Sequence, residues 1–196
     1  MIEIYKKNYN TGVTTIYRCS VDPITKDLIF DFANKVTTTT LKLYQERNYA
    51  NKKKIVDDHY YGKLGEFAVA LFLKQKGVLH KEPDLKIYSG MNKSYGCDIE
   101  ITGSSGHIWK LHIKSQNINS QIMFGNAWLF QSNDKLTYWP DNNDLVILTA
   151  INEKEEISIL KIVKAYNLKN KFDDDVFNKK RLRLDYLKDL PDFISF

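Results

Sequence analysis

Hydrophobic positions recur with two different periods along this chain, and each change of period marks an element. The firmest run lies between Tyr61 and Gln75, where Leu64, Phe67, Ala68, Leu71 and Phe72 repeat at i, i+3, i+4, i+7 and i+8. That spacing places them on one stripe of a helix, with Gly77 following as its C-cap. From Cys97 to Thr102 the period shortens to two, so Asp98 and Glu100 face one way while Cys97, Ile99 and Ile101 face the other. Gly103, Ser104, Ser105 and Gly106 supply turn chemistry. Alternation resumes at Ile108, with Leu111, Ile113 and Ser115 on one side and His112, Lys114 and Gln116 on the other. The stretch from Tyr95 to Asn117 therefore predicts a β-hairpin.

Before this hairpin, residues 2–20 read as another: IEIYK, the turn-forming NYNTG, then VTTIYRCS, an addition to a sheet edge. Asp22 and Pro23 form an N-cap and first-turn signature. Ile24, Leu28, Ile29 and Phe32 then predict a helix to about Val36 or beyond. The threonines at 37–40 are poor helix material, although Leu41, Leu43 and Tyr44 can resume it. Residues 47–54, RNYANKKK, read as a basic connector, and 78–94, with Pro83, Ser89 and Gly90, as a short strand or loop.

After the central hairpin, 117–140 is rich in Asn, Ser and aromatics without a clean period, as a substrate loop would be. Its Trp128, Phe130, Tyr138 and Trp139 suit core or rim packing better than base stacking. DLVILTA, at 144–150, reads as a strand buried on both faces. EKEE then turns the chain into EISILKIVK, and a short helix is expected over 163–168. Residues 171–182 read as exposed connection, and Leu182, Leu184 and Tyr186 lean toward a final strand. The whole divides into 1–58 (hairpin, helix and connector), 59–165 (core) and 166–196 (C-terminal extension) of one domain.

Composition narrows the function classes. A chain of 196 residues can bury a core without disulfides, and its two cysteines, Cys19 and Cys97, fit neither a disulfide framework nor a metal-ligand spacing. A net charge of +5 suits a polyanionic partner without demanding one. No run approaches the length of a membrane span, and MIEIYKKNYN lacks the apolar core of a signal peptide, so a cytoplasmic location is expected. There is no GxxxxGK[ST] phosphate loop, no Gly-x-Ser-x-Gly elbow, and no zinc spacing between His59 or His80 and the cysteines.

If the two central strands pair, Asp98 and Glu100 converge with His112 and Lys114 on a patch of carboxylates, imidazole and ammonium able to hold a divalent cation and a water. In these residues the chain resembles the PD-(D/E)xK phosphodiesterase superfamily, which includes many restriction endonucleases and repair nucleases. Asp98 matches the first acid, while His112, Ile113 and Lys114 occupy the acid-x-Lys triplet and Gln116 the polar position after it. Gly62-Lys63-Leu64-Gly65-Glu66-Phe67 looks like the family's Gly-x-x-Gly-Glu helix start, with Glu66 as the helix carboxylate. The resemblance covers roughly residues 60–165 and departs at His112, where the family usually has an acid.

The chemistry implied is metal-dependent phosphodiester hydrolysis, in which charge on the phosphate is neutralised and a water activated. Asp98 would be the primary ligand of Mg²⁺, completed by Glu66 directly or through water. Lys114 would contact the attacking water and the phosphate, and Gln116 would orient water or bind phosphate. His112 has three readings: a nitrogen ligand that suits Mn²⁺ better than Mg²⁺, an acid–base group, or a replacement that lowers activity. Glu100 can supply a second carboxylate, two residue rises or roughly 6.6 Å from Asp98. Arg47, Lys52, Lys53, Lys54 and Lys63 are candidates to meet phosphates.

The expectation is thus an α/β domain with a restriction-endonuclease-like core. Its mixed central sheet would carry the Gly62 to Gln75 helix on one face and a second helical layer on the other. The expected function is a Mg²⁺-dependent DNA endonuclease of restriction, repair or phage type, for which symmetric duplex cutting would favour a homodimer. The alternatives are a nuclease fold that has lost cleavage and binds nucleic acid, and a structural or inhibitory protein whose hairpin polar groups are merely solvated.

Overall fold

Alternating residues at the N-terminus pair as anticipated in the computed structural model, which describes residues 2–9, 12–46, 51–88, 96–103, 105–174, 179–190 and 192. β1 (Ile2–Tyr9) and β2 (Gly12–Cys19) form an antiparallel hairpin at one edge of a mixed sheet. The other strands of that sheet are β3 (Ile99–Thr102), β4 (Ile108–Gln116), β6 (Asp144–Ile151) and β7 (Ile157–Lys164). Its order is β1-β2-β7-β6-β4-β3, with β4 parallel to β6 and the other neighbours antiparallel.

Parallel neighbours require a long crossover, and that requirement explains residues 117–143. Instead of a substrate loop, this segment holds α3 (Ile118–Phe124), β5 (Ala127–Gln131) and α4 (Lys135–Tyr138). Each is too short to show a hydrophobic period. β5 leaves the main sheet and joins β8 (Phe172–Asp174) and β9 (Lys179–Arg183) in a three-stranded sheet of order β5-β9-β8. The reading of 171–182 as exposed connection is corrected by these strands. Phe172 pairs with Leu182, and charged neighbours on both sides hide that apolar pair in the sequence.

One helix, α2, covers one face of the main sheet, and α1 packs against α2. α1 (Pro23–Glu46) starts where the sequence predicts, with Asp22 Oδ1 accepting from the Thr25 amide at 2.9 Å. It continues through the threonines because Thr38, Thr39 and Thr40 turn their hydroxyls back onto helix carbonyls, Asn34 for the first and Val36 for the other two. α2 (Lys52–Gln75) begins well before Tyr61, capped by Asn51, whose Oδ1 accepts from the Lys54 amide at 3.0 Å. Val56 and Tyr60 extend the buried stripe of Leu64, Ala68 and Phe72 upstream at intervals of four. The basic connector is thereby corrected, since Lys52, Lys53 and Lys54 are the first turn of α2. Gly62 and Gly65 lie mid-helix, and the boundary drawn at 58/59 falls inside it.

The core has two parts, one on each face of the sheet. Leu111, Ile113, Leu145 and Ile147 pack with Leu64, Ala68, Phe72 and Leu73 of α2 on the first face. Val146, Leu148 and Val163 pack on the second with Trp128, Phe130, Leu136, Leu168, Leu182 and Leu187. The layer opposite the helices is therefore the small sheet with α4 and two 3-10 turns (Ala165–Leu168 and Leu184–Leu187), and the expected second helical layer is corrected. Among the described residues, no helix is long and apolar enough to cross a membrane.

Candidate active site

One strand presents both surfaces of the site. β4 alternates, so Leu111 and Ile113 point to α2 while Lys110, His112, Lys114 and Gln116 point to the opposite face. Its ladder to β3 is short, running from Thr102↔Ile108 to Ile99↔Leu111. Asp98 stands just beyond the end of β3, where its amide donates to the Leu111 carbonyl at 2.9 Å. Its carboxylate then takes over from the ladder, with Oδ2 accepting from the Ile113 amide at 2.7 Å. Oδ1 takes no hydrogen bond from the described residues. The acid is thus tied to the backbone between His112 and Lys114, and it stays exposed.

His112 has a partner that the hairpin alone does not reveal. Its Nε2 lies 3.1 Å from Asp144 Oδ1, with side-chain exposures of 14% and 2%. Asp144 opens the nearly continuous apolar run of β6 and pairs with Lys110 across the parallel ladder, which brings it to the His112 face. Its Oδ2 accepts from the Asp141 amide at 2.7 Å, and Lys135 Nζ stands 3.9 Å away. Lys135 also holds Asp141 at 2.5 Å. That bond, then the Lys135 charge and more weakly Lys110 and His112, holds the Asp141 carboxyl below the usual carboxylate range.

Lys114 has its own carboxylate. Nζ lies 3.3 Å from Asp134 Oδ2 and 4.8 Å from the centre of the Phe130 ring. Asp134 Oδ1 caps α4 by accepting from the Leu136 amide at 3.0 Å, so its two oxygens serve the helix and the ammonium separately. Gln116 is buried, and its Nε2 donates to the Gly125 and Ala127 carbonyls at 2.7 and 2.8 Å. That NH₂ group fastens the turn from α3 into β5, while Oε1 is buried without a hydrogen-bond partner among the described residues.

The remaining candidates divide, Glu100 sharing the Lys110 and His112 face while Glu66 and Lys63 lie on α2. Glu66 is buried on α2, on the other side of β4, and its Oε2 accepts from Lys63 Nζ at 2.6 Å. Lys63 therefore points inward, over the Phe32 ring at 5.7 Å, and not toward a surface phosphate. Gly65 explains the close approach of this helix, because a Cβ there would stand 1.9 Å from Ser115 Oγ. A Cβ at Gly62 would meet nothing. Glu100 is exposed and pairs with Lys110 in the ladder. Lys52 and Lys53 are exposed, Lys54 pairs with Asp58 at 2.8 Å, and Arg47 lies outside the described residues.

The field at the hairpin is negative on the Asp98 side. Burial, then the carboxylates of Glu100 and Asp98, pushes the Cys97 thiol up to about 11, so it is no nucleophile near neutrality. Among the described residues, no group of three or more His, Cys, Asp or Glu side chains gathers as a metal cage. Sequence reasoning missed Asp134 and Asp144. The available signals were an Asp heading a nearly continuous apolar strand and an Asp two residues before Leu136 at a helix start. The chain matches no family model, no curated protein and no solved structure, so the reading of this site rests on its geometry and on the motif resemblance.

Proposed function

We propose that the chain is a metal-dependent DNA endonuclease that hydrolyses phosphodiester bonds on a restriction-endonuclease-like core. The observation that carries this is the bond from the Ile113 amide to Asp98, which ties an exposed carboxylate to the backbone between His112 and Lys114. The donor chemistry suits a hard cation better than zinc. Mg²⁺ needs one or two carboxylates with waters and substrate phosphate in place of a protein cage, whereas zinc needs three or four fixed ligands. Asp98 would hold it through Oδ1, and the ion when bound would neutralise phosphate charge and acidify water.

The chain's own residues do the rest. Lys114, released from Asp134 by a more strongly charged phosphate, neutralises a non-bridging oxygen, and its stacking over Phe130 limits where the ammonium can go. Glu66 and Lys63 pair within α2, with Lys63 over the Phe32 ring of α1. The exposed Lys52 and Lys53, with the overall charge of +5, favour a polyanionic substrate.

The test is incubation of the purified chain with linear, supercoiled and single-stranded DNA in Mg²⁺, Mn²⁺ or EDTA, beside Asp98→Ala and Lys114→Ala. Cutting that needs metal and falls at least about 100-fold in each variant is expected. Binding without cutting in any metal would replace the enzyme by the nucleic-acid-binding module.

A further inference from the structure

We infer that Asp144 is a positioning residue that fixes His112 in one tautomer and so makes its other ring nitrogen the proton acceptor of the site. The inference rests on the nuclease reading for its chemical purpose and on geometry for its content. An ionised carboxylate only accepts hydrogen bonds, so the 3.1 Å contact from His112 Nε2 to Asp144 Oδ1 puts the imidazole proton on Nε2. Nδ1 then keeps its lone pair, and it takes no partner among the described residues. The carboxylate cannot swing away easily. Its Oδ2 is bound to the Asp141 amide at 2.7 Å, Lys135 stands 3.9 Å behind it, and the side chain is 2% exposed.

A buried acid behind a histidine sets both the ring's orientation and its basic nitrogen. Here the pair stands two residues from Lys114, at the position where the resembled family has an acid. A water whose oxygen bonds to phosphorus gives its proton to Nδ1 as the P–O bond to the leaving oxygen breaks. The leaving oxygen takes a proton from a second water, and the hydroxide so formed recovers the proton from the imidazolium. The histidine thus accepts the proton without adding a negative charge at a position where the resembled family has an acid.

The deciding variant is Asp144→Asn. The Asp141 amide needs an acceptor, so the new side-chain oxygen is expected at the Oδ2 position. Its NH₂ then faces His112, which forces Nε2 to accept and moves the ring proton to Nδ1. Nitrogen chemical shifts of the four histidines, with His112 assigned by its loss in His112→Gln, read this directly in the uncleaved protein. The wild type is expected to show protonated Nε2 and bare Nδ1, and Asp144→Asn the reverse with a folded spectrum. In cleavage, kcat should fall about 100-fold or more at nearly unchanged KM.

A wild-type ring protonated on Nδ1 overturns the inference, as does a flipped tautomer with unchanged kcat. Should Asp144→Asn not fold, Asp144→Ala, which removes the acceptor outright and leaves the Asp141 amide to water, must release the Nε2 tautomer; an unchanged ring spectrum there also overturns it. If the wild type cuts no DNA while the ring shows bare Nδ1, the nuclease reading fails and the tautomer assignment stands.

Discussion

The two faces of β4 are built from the same nine residues by opposite means. On the α2 face, Leu111 and Ile113 meet Leu64, Ala68 and Phe72, and the approach is so close that Gly65 has no room for a Cβ beside Ser115. On the other face, His112 and Lys114 meet Asp144 and Asp134, each carboxylate bonding its partner side chain with one oxygen and a backbone amide with the other. The first face is held by apolar contact and excluded volume. The second is held by directional bonds: the partly exposed Lys114–Asp134 pair adds little net stability, whereas the buried Asp144 needs its bonds to offset the cost of leaving water. The difference teaches where tolerance lies: the helix face should respond to volume, and the charged face to charge and proton position.

The strongest way to break this comparison is at adjacent positions. Leu111→Ala removes a fully buried side chain and should lower the unfolding free energy by about 3 kcal/mol. Lys114→Ala, whose ion pair is partly exposed, should change it by less than about 1 kcal/mol while abolishing cleavage. Urea denaturation of both variants decides it, and equal losses would mean that the charged face is also part of what holds the sheet together.

Next in size is Gly65→Ala. The added methyl gains helix propensity but would sit 1.9 Å from Ser115 Oγ and 3.1 Å from Thr149 Oγ1, which themselves bond at 3.0 Å. A net loss of about 2 kcal/mol is expected, as for other overpacked contacts. The double variant with Ser115→Ala should be more stable than the sum of the single changes by about 1 kcal/mol. Strict additivity in thermal or urea unfolding would show that α2 can shift outward at no expense.

The same contrast governs what can be read from the sequence. The helix face is legible because burial writes a period: Leu64, Phe67, Ala68, Leu71 and Phe72 announce α2, and the alternation around Asp98 and Lys114 announces the hairpin. α2's start was hidden because Gly62 and Gly65 look like a helix beginning, although both lie mid-helix and Gly65 serves a close contact there. The crossover at 117–143 and the strand β9 escape because short elements shared between two sheets show no period of their own. Partners such as Asp134 and Asp144 are brought in by the parallel register of β4 and β6, and ion pairs leave no spacing rule in the chain. Half of the charged face was therefore readable, namely the half carried on the hairpin itself.

The smallest effect sharpens the comparison most, because it separates charge from structure at one atom pair. Asn caps a helix about as well as Asp. Asp134→Asn should therefore keep the bond from the Leu136 amide and leave stability within about 0.5 kcal/mol of the parent. What it removes is the negative charge 3.3 Å from Lys114 Nζ. That carboxylate competes with any incoming phosphate, so the variant should bind DNA several-fold more tightly at low ionic strength, an estimate of about one weak ion pair. The advantage should shrink at high salt, where exposed charges are screened beyond about 3 Å at 1 M. Fluorescence anisotropy titrations at two salt concentrations read both parts. Equal affinity of variant and parent at low salt would mean that Lys114 does not leave Asp134 for the substrate, and would place the phosphate contact on other cations of this face, with Lys110 and Lys135 the nearest.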